Sequence, residues 1–272
     1  MCVKKSRFTQ DSYDTPDNAR KSLLYKLLCK IRWYFYFYSF GIFVRSGLCA
    51  KRGGLDEAHQ ISYSMENIDL IERMGGKVHV RGLENLRALN GQPVILIGNH
   101  MSLLETAVFH AIIREYLDFT FVIKNTLYNV PFFKEIMKNL EAIPIGRANP
   151  RDDLRSVLED GQKLLEKGRS IIIFPQATRS EEFNPDKFNS IGIKLAKKAN
   201  VPVVPFALKT DFLGNGRYLK DLGPVRPERE IYFAFAPGRM VGDNGKKLQD
   251  EIIDFISTNL TEWKSKEQRN QR

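Results

Sequence analysis

An α/β fold is predicted for this 272-residue chain, with a largely parallel central sheet flanked by helices and an N-terminal helical segment ahead of it. Three observations predict it. From Lys77 onward, apolar strand-like runs alternate with helical patterns, the signature of strands buried on both faces by crossover helices. Composition is that of a globular chain, 43% hydrophobic and 27% charged, which excludes a disordered or collagen-like one. Basic and aromatic residues crowd into the first fifth of the chain, which sets that part off from the rest.

Taken in order, residues 1–20 are polar and expected to be loose. Residues 21–76 are expected to form the N-terminal helical segment, and residues 77–272 the main domain. Within residues 1–52, eleven Lys and Arg face only Asp11, Asp14 and Asp17, so most of the net charge of +10 belongs there. Trp33 to Val44 is an uncharged run of mostly aromatic residues, flanked by Lys21, Lys26, Lys30 and Arg32 upstream and by Arg45, Lys51 and Arg52 downstream. As a helix this run would be roughly 18 Å long, too short to cross hydrocarbon. Amphipathic aromatics between basic flanks suit a monotopic anchor lying at the headgroup level of an anionic, cytoplasm-facing lipid surface. A helix packed on the protein's own core is the competing reading, and nucleic acid is not expected as a partner. Ile61, Met65, Ile68 and Ile71 could line one face of a second helix between Gly53-Gly54 and Gly75-Gly76.

Strands are then expected at Val94–Ile97, Phe119–Ile123, Ser170–Phe174, Val203–Ala207 and Ile231–Ala234. Helices are expected near Leu103–Glu115, Phe132–Asn139, Arg151–Lys167, Ile191–Ala199 and Lys246–Thr261. Cys2, Cys29 and Cys49 have spacings that fit neither a zinc site nor a disulfide framework. No metal is expected, and no nucleotide-binding glycine motif occurs.

Chemistry concentrates at the carboxyl ends of the strands, where open α/β sheets place their ligands. The first strand runs into Gly98-Asn99-His100-Met101-Ser102-Leu103-Leu104-Glu105; Ser170–Phe174 leads to Pro175-Gln176-Ala177-Thr178-Arg179-Ser180. Ala142 to Arg147 and Val201-Pro202-Val203-Val204-Pro205 complete the set. Over about residues 77–240, these four features in this order resemble the glycerolipid acyltransferase family typified by 1-acylglycerol-3-phosphate acyltransferase. Its signatures read N-H-x-x-x-x-D, a motif ending in arginine, F-P-E-G-T-R-S and V-P-x-x-P. The basic aromatic segment also looks like the membrane-binding helical motif that some members place before the catalytic domain.

The resemblance implies transfer of a fatty acyl group from acyl-CoA or acyl carrier protein, bound as a substrate rather than as a cofactor, to the hydroxyl of a lysophospholipid. The implied acceptor is 1-acylglycerol-3-phosphate. His100 would be the general base and Glu105, at the family's aspartate position, its orienting carboxylate. Arg179 and Arg147 would hold phosphate, with Gln176, Thr178 and Lys124 as further substrate contacts. Ser102-x-x-Glu105 is also a capping-box pattern, and capping alone would leave His100 without a partner. Taken singly, His59, His79 and His110 are assigned no role. Leu127, Val130, Phe132 and Phe133 could line an acyl groove, though core packing is the first expectation for each.

The chain departs from the family pattern at Glu105, at Gln176 in place of glutamate, and at Ala177 in place of glycine; at Gly192 the family's glycine is displaced by one residue. A different lysolipid acceptor and a non-catalytic lipid-binding member therefore stay open. An acyl hydrolase is disfavoured because no G-x-S-x-G occurs.

Overall fold

The computed structural model describes residues 3–17, 32–146, 149–176, 178–217 and 219–270. Eight strands among them form one sheet: β1 (Ser12–Asp14), β2 (Val78–Arg81), β3 (Ile95–Gly98), β4 (Phe119–Lys124), β5 (Ile143–Ile145), β6 (Ser170–Ile173), β7 (Val203–Lys209) and β8 (Ile231–Phe235). Their spatial order is β1-β2-β8-β7-β3-β6-β4-β5. The five strands from β7 to β5 run parallel; β7 meets β8, and β1 meets β2, antiparallel. The five strands expected from the sequence are all present within one or two residues. The other three, β1, β2 and β5, are short strands at the two sides of the sheet, too brief to print a periodic pattern.

The helices are α1 (Arg32–Lys51), α2 (Glu57–Arg73), α3 (Leu83–Arg87), α4 (Leu104–Ile113), α5 (Phe133–Asn139), α6 (Pro150–Glu166), α7 (Ile191–Ala199) and α8 (Gly245–Asn270). Side-chain alternation along β7 divides them into two layers. Phe206 packs edge-on against Phe109 of α4 on one face, while the Lys209 ammonium reaches Glu267 of α8 on the other, at 2.9 Å. Packed between the sheet and α2, α4 is apolar nearly all round. Ile61, Met65, Ile68 and Ile71 are indeed the buried face of α2.

Residues 3–17 are not loose. They form a strap whose β1 pairs with β2 at the sheet edge, whose Phe8 is fully buried, and whose Ser6 hydroxyl donates to the Ala111 carbonyl at 2.7 Å. The buried Glu72 carboxylate of α2 accepts from Tyr13, Thr15 and Arg7. A polar composition concealed this strap because it is held by backbone pairing and ion pairs rather than by an apolar stripe. Phe8→Ala is expected to cost about 3–5 kcal/mol, measurable by denaturant unfolding; a loss under 1 kcal/mol would mean the strap is not part of the cooperative fold. Helix α8 also runs past its expected end, because Trp263 packs on Tyr232 and Glu267 neutralises the fully buried Lys209.

Helix α1 is two-sided. Phe35 and Ile42 are buried, and Gly47 lies so close to Phe132 that a Cβ there would stand 2.4 Å from the Phe132 Cβ. Phe43 meets the rings of Phe132 and Phe133 at 6.3 Å, so both side chains pack beneath α1. On the outer side, Trp33, Phe37, Phe40, Val44 and Leu48 recur at helical spacing. Phe37 is 76% exposed, Phe40 62% and Trp33 56%. None of the described helices is long and apolar enough to cross a membrane.

Candidate active site

Four of the five parallel strands deliver the described candidate residues to one edge of the sheet. His100 follows β3, Lys124 ends β4, Gln176 and Arg179 follow β6, and Thr210 follows β7. At the end of β3, Gly98 is required by close approach: a Cβ there would lie 2.4 Å from the Phe206 carbonyl oxygen. Asn99 then clips the loop to β7, donating to the Leu208 carbonyl at 2.8 Å and accepting from the Leu208 N–H at 2.9 Å. This turns His100 out at the rim, where its ring stacks on Phe174 with centroids 4.1 Å apart and keeps 19% of the side chain exposed.

His100 Nδ1 lies 2.8 Å from Oε1 of Glu105, and Glu105 is completely buried. The same oxygen accepts the N–H groups of Met101 at 2.7 Å and Ser102 at 2.9 Å. Oε2 accepts the hydroxyls of Ser102 at 2.9 Å and Thr210 at 2.8 Å. Capping and pairing are therefore not alternatives here. One carboxylate satisfies the backbone at the start of α4 and the imidazole together, and the extra methylene over aspartate lets it fold back far enough to do so. Burial by itself would raise this carboxyl's pKa. The hydrogen bond and charge of His100, with the donors from Thr210 and Ser102, outweigh burial and hold it below the usual carboxylate range. An ionised carboxylate only accepts, so Nδ1 carries a proton, and in the neutral ring the lone pair lies on Nε2.

Gln176 is 6% exposed, and its side-chain oxygen accepts the His100 N–H at 3.1 Å, fixing the loop's backbone. Ser180 N–H donates to the His100 carbonyl at 2.9 Å, which draws the 178–181 segment against the histidine loop. There, Arg179 Nη2 donates to Asp221 at 2.5 Å, while Nη1 is buried with no hydrogen-bond partner among the described residues. Thr178 Oγ1 accepts from Lys220 Nζ at 2.7 Å. Lys124 is exposed at the end of β4, two strands away from β3. Arg147 and Ala177 lie outside the described residues.

The remaining histidines are structural. His59 caps α2 with Asp56, and His79 bonds Asp14 and stacks on Tyr232. Burial, reinforced by Arg114, pushes the pKa of His110 down to about 3 and keeps it neutral. Thr210, Asn99, Lys220 and Asp221 were missed from the sequence. For Thr210 a signal existed, since it directly follows a strand whose carboxyl end belongs to the ligand-binding edge.

Residues 77–209 match the acyltransferase family model. The chain is 33% identical over 178 residues to a 1-acyl-sn-glycerol-3-phosphate acyltransferase of Pseudomonas aeruginosa, covering 65% of each chain. It is 29% identical over 143 residues to the chloroplastic enzyme LPAT1 of Arabidopsis thaliana, covering 53% of this chain and 38% of that one. This chain thus spans less than two thirds of the length of these relatives. The crystal structure of the 1-acyl-sn-glycerophosphate acyltransferase PlsC from Thermotoga maritima shares the fold, with a TM-score of 0.63 at 20% identity over 89% of this chain and 97% of that one. Residues 77–209 are thus an acyltransferase-family domain, and the relatives this chain resembles are 1-acyl-sn-glycerol-3-phosphate acyltransferases.

Proposed function

We propose that this protein is a membrane-surface O-acyltransferase that moves a fatty acyl group from a thioester donor, acyl-CoA or acyl carrier protein, to the hydroxyl of 1-acylglycerol-3-phosphate. The observation that carries the reading is the 2.8 Å pair between His100 Nδ1 and the buried, ionised Glu105, set at the ligand-binding edge of an acyltransferase-family domain. Nε2 of His100 takes the acceptor's hydroxyl proton as its oxygen attacks the thioester carbonyl carbon. The carbon–sulfur bond then breaks, and the proton passes to the departing thiolate. Glu105 keeps the ring in the required tautomer and stabilises the imidazolium formed in between. Arg179 offers a guanidinium edge to the acceptor phosphate. Mass spectrometry of lipids formed from mixed lysolipids and both donors tests the reading; absence of any acylated product would defeat it and favour a non-catalytic lipid-binding member.

The outward stripe of α1 supports docking to an anionic lipid surface, with Arg32, Lys51 and Arg52 at the headgroup level. Phe37→Glu with Phe40→Glu is expected to weaken binding to anionic vesicles by about tenfold per ring, since each removes a phenyl group from the apolar interface. Cosedimentation with vesicles checks this. Undiminished binding by the double variant would mean that another surface contacts lipid.

A further inference from the structure

The segment from Asp211 to Arg226, between β7 and β8, starts just beyond the residues matched by the family model. It folds back on itself: Gly214 N–H donates to the Pro224 carbonyl at 2.9 Å and Arg226 N–H to the Phe212 carbonyl at 2.7 Å. The resulting arm lies over the junction of the two motif loops. Asn215 donates from its side chain to the Met101 carbonyl at 3.0 Å, and Glu181 holds both the Asn215 N–H and Arg226. On the other side, the Tyr36 hydroxyl of α1 donates to the Gly223 carbonyl at 2.8 Å.

Beside this frame the arm carries two opposite charges onto Arg179. Lys220 Nζ donates to Thr178 Oγ1 at 2.7 Å and to the Arg179 carbonyl at 2.8 Å, so a second cation is held on the Thr178–Arg179 stretch that carries the guanidinium. Asp221 occupies Nη2, while Nη1 stays buried with no hydrogen-bond partner among the described residues. A buried N–H without an acceptor is costly, and a tetrahedral oxyanion would supply several acceptors at once. The Asp221 side chain is 65% exposed, so its hold on Arg179 is screened and biases the pair by no more than about fivefold. A phosphate monoester with nearly two charges outcompetes such a carboxylate.

We propose that this arm selects the acceptor. Lys220 joins Arg179 in binding a terminal phosphate monoester, and Asp221 is the internal carboxylate that the phosphate displaces. The proposal deepens the acyltransferase reading and rests on it for the identity of the ligand.

Calorimetric titration of the full chain with a water-soluble short-chain 1-acylglycerol 3-phosphate, and with the matching lysophosphatidylcholine, separates the two. Lys220→Gln keeps a donor for Thr178 and the Arg179 carbonyl but loses the charge. It is expected to bind the phosphomonoester about tenfold more weakly and the zwitterionic lipid unchanged, while Lys220→Arg stays near wild type. Asp221→Asn is expected to bind the phosphomonoester up to about fivefold more tightly. Wild-type affinity for the phosphomonoester in both Lys220→Gln and Asp221→Asn, or an equal loss for both lipids in Lys220→Gln, would overturn the proposal and leave the arm a mechanical latch. Turnover of the same two lipids is scored separately. A protein that discriminates in binding but acylates neither refutes the enzymatic reading while upholding acceptor selection by the arm.

Discussion

His100→Ala is expected to lower acyl transfer by roughly 10²–10⁴-fold with little change in stability, because the ring paired with Glu105 is the proposed general base and is itself partly exposed. The loss should fall on kcat rather than on acceptor affinity, since Arg179 and the arm over it are untouched. Steady-state kinetics on purified protein with a defined thioester donor measures it. Full activity in the alanine variant would eliminate general-base catalysis at this position.

The second large effect is expected at Glu105, and it has two parts. Glu105→Gln keeps the shape, and its amide oxygen can still accept the N–H groups of Met101 and Ser102. The hydroxyls of Ser102 and Thr210, already within hydrogen-bond reach of each other at 2.9 Å, can rotate to accept from the amide. Folding should therefore survive at a cost of about 1–3 kcal/mol, the usual scale for hydrogen bonds to a charged group. What is lost is the negative charge beside Nδ1, and activity should drop by about 10²–10⁴-fold, as it does when a triad's orienting carboxylate is neutralised.

The pH dependence follows from the same carboxylate. Its folded pKa lies below its ordinary value of 4.5, so its stabilising contribution is fully present above that pH and disappears as pH falls through the lower, folded value. The stability gap between wild type and Glu105→Gln should thus hold at neutral pH and close on acidification below about pH 4.5. Denaturant unfolding between about pH 3 and 7 tests this sign. A gap that widens towards acid would show that burial, not hydrogen bonding, controls the group.

Much of the architecture was legible because parallel strands buried on both faces are written as continuous apolar runs. Val94–Ile97, Ser170–Phe174 and Val203–Ala207 all lie in the middle of the sheet. Less legible were the elements that hold by other means. The strap of residues 3–17 relies on β1–β2 pairing and on Glu72, and the last turns of α8 rely on Glu267 meeting Lys209, a contact between residues 58 apart. At the site, the pairing of His100 with Glu105 was implied by the family resemblance, whose motif holds both in one short stretch. Thr210 and Asp221 could not, because their partners come from other strands and loops, and only closure of the sheet brings them near. Gln176 carried a signal of a different kind. Its side chain meets a backbone N–H, a contact that no pattern of side-chain types reveals.

The carboxylate that begins α4 and steadies the imidazole also reaches Thr210, 105 residues away along the chain. A nascent polypeptide that has made β3 and α4 but not yet β7 holds the histidine and its acid without the hydroxyl that completes their setting. The complete setting of this pair therefore forms only once β7 has joined the sheet.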